Sequence, residues 1–304
     1  MKTTSHIAWS LGVAALMQIT AVAASPPQHV FALHRPQVPE PSVDAATLQA
    51  HHTASDNTSS STKWERIESI PALPNQQLRI KQPKLCDTNL TQYSGYLDTD
   101  KDHHFFFWFF EARNVSKNKD APVILWMNGG PGCSSSLGAL MEHGPCRVDK
   151  GGKTMSLHRY GWNDQAHIIF IDQPLNVGFS YGKRVFDSYT AGEDVYNFLQ
   201  LFYHAFPEYS NGDLHIFSES YGGHFVPATA KAIQEKNTEY SEKQRLGLLS
   251  PAEGQKRVLP LTSIGIGNGI TDPLIQYKSY STIACNSTYE PVLTKDQCDY
   301  IDEL

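Results

Sequence analysis

The sequence predicts an α/β fold built on a parallel sheet covered on both faces, and three observations carry that prediction. Apolar runs of strand length recur at 105–110, 122–127, 167–171, 214–217 and 261–266. Patterns of helical period lie among them, clearest at 191–206 (AGEDVYNFLQLFYHAF) and 221–237, and such alternation is the mark of βα units. The chain also has the size and composition for one large core, with 304 residues, 40% of them hydrophobic and 18% charged.

The chain opens with Lys2, a mostly apolar stretch over 7–19 and the small residues Ala21, Val22, Ala23 and Ala24. That order reads as a secretory signal peptide at 1–24, cleaved after Ala23 or Ala24, and its apolar stretch falls short of the ~20 residues of a spanning helix. Residues 25–84 are expected to form a flexible leader, a candidate propeptide. Their first part is rich in Pro, Ser, Thr and His and poor in large apolar side chains, so it cannot bury enough surface to order itself. The folded domain is expected over 85–304.

Within it, FFFWFF at 105–110 is bounded by Asp102-His103-His104 and Glu111, the setting of a buried strand and not of a membrane segment. No internal repeat is present, and no other run reaches spanning length, so membrane association is not expected. Four N-x-[ST] sequons, at Asn57, Asn89, Asn114 and Asn286, fit export as a glycoprotein. The net charge of −6 comes without a long basic run, which argues against nucleic acid as a partner. No metal cluster or nucleotide loop occurs, so neither metal nor cofactor is expected.

The run at 214–217 leads into FSESYGGHFVP, 217–227. A serine nucleophile needs a sharp strand-to-helix turn, a base and NH donors for the oxyanion, and Ser220 stands at such a turn. Small residues are wanted two places either side of it because strand and helix backbones approach closely there. Gly222 meets that need, whereas Ser218 replaces the usual glycine. An ordinary βα turn with a serine at the N-cap is the plainer alternative. The run at 122–127 in turn enters WMNGGPGCSS, from Trp126, a glycine-rich loop where an α/β-hydrolase keeps its second oxyanion donor.

WMNGGPGCSS, MEHGP (from Met141), DQPLNVGFSY (from Asp172), FSESYGGHFVP and IGIGNGITDP (from Ile264) together resemble, in order and spacing, the motifs of the serine carboxypeptidase family of fungal type. The resemblance runs from about Cys86 to the last residue. It implies an α/β-hydrolase fold and a secreted or vacuolar enzyme that removes C-terminal residues from peptides and proteins at acid pH through an acyl-enzyme. It implies Ser220 as nucleophile, the backbone NH groups of Gly130 and Tyr221 as oxyanion hole, and Asn128, Gly129, Glu142 and Glu219 as the recognition set for the substrate's free carboxylate. Two acids facing a third carboxylate cannot all be charged, so a proton is shared and acid conditions are favoured. The resemblance also implies a Cys285–Cys298 disulfide, and a distant partner for Cys133. Pairing of Cys86 and Cys146 stays open, and five cysteines leave one over.

In this family the triad acid and base fall beyond the position of Leu304. After Ser220 the only histidine is His224, which belongs to the elbow motif, and Asp272 is likewise not the triad acid. His215 lies on the nucleophile's own strand, on the opposite face and roughly 16 Å away; His143 and His167 are not excluded by distance. The expectation is an incomplete α/β-hydrolase, the N-terminal part of a carboxypeptidase domain, inactive as it stands, with 261–266 an open apolar edge. An esterase or acyltransferase on the same scaffold and a non-catalytic pseudoenzyme are the alternatives. Oligomeric state is not readable.

Overall fold

The computed structural model describes residues 64–114 and 120–303. The strands β1 (Arg66–Glu68), β2 (Gln77–Lys81), β3 (Gln92–Thr99) and β4 (His103–Phe110) pair antiparallel in succession. A link as short as 100–102, with Asp102 at φ 58°, can join β3 to β4 only in that sense. Next come β5 (Val123–Met127), a separate hairpin of β6 (Cys146–Val148) and β7 (Met155–Leu157), β8 (His167–Ile171) and the two-residue β9 (Tyr181–Gly182). Helix α1 (Ser188–Ala205) precedes β10 (Leu214–Glu219), helix α2 (Gly222–Arg245) follows it, and β11 (Leu261–Gly267) comes after. The sheet order is β1-β2-β3-β4-β8-β5-β10-β11, with β9 on β4.

Two expectations change here. The sheet is mixed: β8, β5, β10 and β11 are parallel, but β4 meets β8 antiparallel. The expected flexible leader, 25–84, also ends too late, since β1 and β2 lie inside it and Ile70, Leu73, Leu78 and Ile80 are buried. Strand β2 alternates buried and exposed positions over QLRIK, a pattern carried by only two apolar residues and hidden among polar neighbours. The signal peptide, the leader up to residue 63 and Asn57 lie outside the described residues.

Strand β4 shows why six consecutive aromatics fold as one strand. Side chains alternate between faces: Phe105, Phe107 and Phe109 enter a core with Phe198 and Phe202 of α1 and Phe225 and Val226 of α2. Trp108 and Phe110 face the other way, against Trp126, Ala139 and Phe170. Helices α1 and α2 therefore share one face, and a π-helical turn, Gly138–Glu142, helps cover the second. Helix α1 starts where Asp187 accepts from Thr190 N at 2.8 Å. Helix α2 runs past the expected 237 on a polar extension that carries the Lys243–Glu239 pair, and stops before Gly247 at φ 68°. Among the described residues no helix is long and apolar enough to cross a membrane. Strand β11 is the sheet edge there, with Ile264 46% exposed.

Candidate active site

Ser220 lies between the end of β10 and the start of α2 at φ 53°, a left-handed conformation that costs a residue with a side chain about 1–2 kcal/mol. The surroundings impose it. Ser220 N donates to Gly267 O at 2.9 Å, and Ser220 O accepts from Ile270 N at 2.7 Å and Gly223 N at 3.0 Å. A Cβ on Gly223 would run into the Ile270 backbone, so glycine lets the loop after β11 press against the turn. The sequence reading assigned no such role to the GNGI stretch; its signal was a glycine pair flanking Asn268, itself at φ 46°. The departure at Ser218 is absorbed locally, because its hydroxyl donates to Met127 O at the end of β5 and Gly222 leaves room for it.

The loop after β5 meets this elbow closely. A Cβ on Gly129 would lie 2.6 Å from both Glu219 O and Tyr221 N, and Gly130 sits at φ 111°. Among the described residues the N–H groups of Gly130 and Tyr221 donate to no other backbone or side-chain group. Asp172, missed as a site residue, ties this loop down: it accepts from Ser134 Oγ at 2.7 Å, Ser135 N at 2.8 Å and Phe179 N at 2.9 Å. Burial pushes its carboxyl above the ordinary range and these bonds pull it back. A lone acid directly after the apolar strand at 167–171 was the signal that could have found it.

Asn128 is 1% exposed and uses its whole amide. Its oxygen accepts from Trp126 Nε1 at 2.8 Å and Gly138 N at 3.1 Å. Its nitrogen donates to Glu219 Oε1 at 2.9 Å and Glu142 Oε1 at 3.2 Å. One donor group thus brings together two carboxyls from segments 77 residues apart. Burial, and then the charge of Glu219, hold the Glu142 carboxyl above its ordinary value, with the Asn128 bond opposing. The structure accordingly gathers Ser220, Tyr221, Gly129, Gly130, Asn128, Glu142 and Glu219 at the carboxyl ends of β5 and β10, where open α/β sheets place their ligands. A cleft of about 810 Å³ between α2 and β11, lined by Ile233, Asn237 and Ile264, lies toward the other end of these elements.

The histidines left open by sequence find other surroundings. His143 is buried between Trp126, Trp162 and Phe170, which lowers its pKa to about 4 by desolvation. His167 pairs with the level of Val123, as does Leu214, so it stands six residues, roughly 20 Å, from Ser220 along the strand. It accepts from Ala112 N at 3.1 Å, and burial lowers it to about 4 as well. His215 meets Ser263 Oγ at 2.8 Å on the neighbouring strand, and the His224 ring lies tilted against the Tyr221 ring. Asp272 caps the helical turn after it by accepting from Ile275 N.

Cys285 and Cys298 are bonded, as are Cys86 and Cys146; Cys133 is free among the described residues. Asn89, Asn114 and Asn286 are exposed, and Asn114 Nδ2 donates to Asp164 O at 2.9 Å.

A serine on a strained strand-to-helix turn, faced by free backbone donors from the end of the adjacent parallel strand, defines an α/β-hydrolase. The chain belongs to the serine carboxypeptidase family, which it matches over residues 82–304. It is 45% identical over 236 residues to carboxypeptidase Y of Schizosaccharomyces pombe, covering 76% of this chain and 23% of that protein. To carboxypeptidase Y of Saccharomyces cerevisiae it is 46% identical over 251 residues, 79% of this chain and 43% of that one. The solved structure of a prohormone-processing carboxypeptidase from S. cerevisiae, KEX1(delta)p, superposes with a TM-score of 0.58 at 27% identity, over 79% of this chain and 52% of that chain. The chain thus spans less than half the length of these two curated relatives.

Proposed function

We propose that this chain carries the nucleophile, oxyanion donors and carboxylate-recognition groups of a serine-type carboxypeptidase acting on peptides and proteins with a free C-terminus. The observation that carries the reading is the Asn128 amide holding Glu142 and Glu219 together beside the Ser220 elbow. A protonated Glu142 donates to one oxygen of the substrate carboxylate, and Asn128 and Gly129 frame the other. That places the last peptide bond over Ser220. Ser220 Oγ attacks its carbonyl carbon, the Gly130 and Tyr221 N–H groups hold the oxyanion, the C–N bond breaks with a proton passing to the leaving amine, and water releases the acyl group from the serine.

Loss of the Glu142 proton as pH rises sets three carboxylates against one another and weakens binding, so activity belongs to acid pH. None of the histidines described is placed to take the Ser220 proton, and on that ground the 304-residue chain alone is proposed to hydrolyse little, the oxyanion hole and binding site remaining. Entry to the secretory pathway through 1–24, with secretion or vacuolar delivery, completes the proposal. The residues from β1 (Arg66–Glu68) onward then form the catalytic domain portion, and Asn57, Asn89, Asn114 and Asn286 are glycan acceptors.

The test is calorimetric titration of the chain at pH 5 with N-blocked peptides ending in a free acid or an amide, together with hydrolysis assays of Ser220→Ala. Preference for the free acid is expected and is lost in Glu219→Ala; equal binding of acid and amide would favour the esterase or acyltransferase reading. Turnover that vanishes in Ser220→Ala would overturn the proposed inactivity of the chain alone.

A further inference from the structure

We propose that Arg113 is a positioning residue for carboxylate recognition, clamping residues 142–146 so that the Glu142 carboxyl is presented to Asn128. This rests on the carboxypeptidase reading and extends it to a side chain remote from Ser220.

Arg113 follows β4, and its guanidinium reaches three separate segments. Nε donates to Asp87 Oδ2 at 3.2 Å, Nη1 to Asp164 Oδ1 at 2.6 Å and His158 O at 3.0 Å, and Nη2 to Pro145 O at 2.9 Å. Two of its partners adjoin the cysteines of one disulfide, Asp87 after Cys86 and Pro145 before Cys146. The ion and the covalent bond therefore bridge the same two segments from neighbouring positions.

The segment they bridge has little freedom left. Three consecutive carbonyls are each held: His143 O by Trp162 N at 2.9 Å, Gly144 O by His158 Nδ1 at 3.1 Å, and Pro145 O by both His158 N at 2.7 Å and Arg113. Gly144 and Gly161 pack backbone to backbone, since a Cβ on Gly161 would lie 2.9 Å from Gly144 O. Glu142 is the next residue back. Its carboxyl, a third exposed, lies 3.8 Å from His143 Nδ1 and among the described residues accepts one hydrogen bond, the 3.2 Å bond from Asn128, so its place depends on the backbone that carries it. A guanidinium suits this task because its planar fork offers five donors to several acceptors at once, whereas an ammonium is a point charge on a flexible stem. Asp87, 4% exposed, and Asp164 balance the charge.

The experiment is titration calorimetry on the full 304-residue chain at pH 5, as wild type, Arg113→Gln and Arg113→Lys, with an N-blocked peptide as free acid and as amide. Wild type is expected to prefer the acid. Arg113→Gln is expected to lose roughly ten- to a hundredfold of acid affinity, the scale of a displaced binding group, with amide affinity unchanged, and Arg113→Lys to recover part of the loss. Equal weakening of both peptides, or a lowered melting temperature with the acid preference intact in both variants, would overturn the positioning role and leave the carboxypeptidase reading standing. A wild type without acid preference would bring down that reading and this inference together.

Discussion

Replacing Ser220 by glycine should make the protein more stable than replacing it by alanine. Both substitutions remove the same hydroxyl, so their difference reports on the backbone. At φ 53° an alanine retains the left-handed penalty of about 1–2 kcal/mol. A glycine escapes that penalty but adds roughly 0.5–1 kcal/mol of conformational entropy to the unfolded chain. The balance favours Ser220→Gly over Ser220→Ala by up to about 1.5 kcal/mol, at roughly 2–4 °C in melting temperature per kcal/mol for a domain of this size. In an ordinary βα turn with negative φ the order reverses, with alanine the more stable by about 0.4–1 kcal/mol. Thermal and urea unfolding of the two variants under identical buffer decide the matter. An alanine variant more stable than the glycine variant by about 0.4–1 kcal/mol, the order of an ordinary turn, would refute the strained elbow and with it the geometric argument for Ser220 as nucleophile.

Glu142→Gln should stabilise the fold at pH 7 and not at pH 4. The native carboxyl is held above its ordinary value, so wild-type stability falls as pH rises from that ordinary value through the raised one, and the cost is fully present above it. The carboxyl is a third exposed and its repulsion screened, which keeps the gain to at most about 1 kcal/mol; urea midpoints that shift equally at both pH values would contradict this. Replacing Cys86 and Cys146 together by alanine opens a loop with a sequence separation of 60 and is expected to cost about 4 kcal/mol by chain entropy. Calorimetric melting checks it, and an unchanged melting temperature would show that the bond constrains nothing.

Sequence revealed the parallel half of the sheet because β5 and β8 are buried on both faces and read as apolar runs, and because β10, buried on one face and half-buried on the other, still carries three apolar residues in its first four. The antiparallel half was legible only at β4. β1 and β2 each have one exposed face and supply few apolar residues, and β3 (QYSGYLDT) mixes polar side chains and a glycine into a buried strand. At the site, Ser220 and the glycine-rich loop after β5 could be found from turn composition, while the separate roles of Gly129 and Gly130 came with the family resemblance. Asn128, Glu142 and Glu219 came only through the family resemblance, since nothing local says that three polar groups from two strand ends and a π-helical turn will meet. Asp172, Arg113 and the loop at 267–270 act by holding backbone, and that role depends on long-range hydrogen bonds with no sequence period.

The hydrogen bonds that Ser220 donates to Gly267 and accepts from Ile270 carry a consequence for biosynthesis. Chains emerge from the ribosome N-terminus first, so the serine leaves the exit tunnel well before the segment that forces it into its left-handed turn. Until that later stretch arrives, residue 220 can relax into ordinary backbone space and its hydroxyl is one among many. In a chain built this way the geometry of the elbow is completed by sequence translated after the serine it positions.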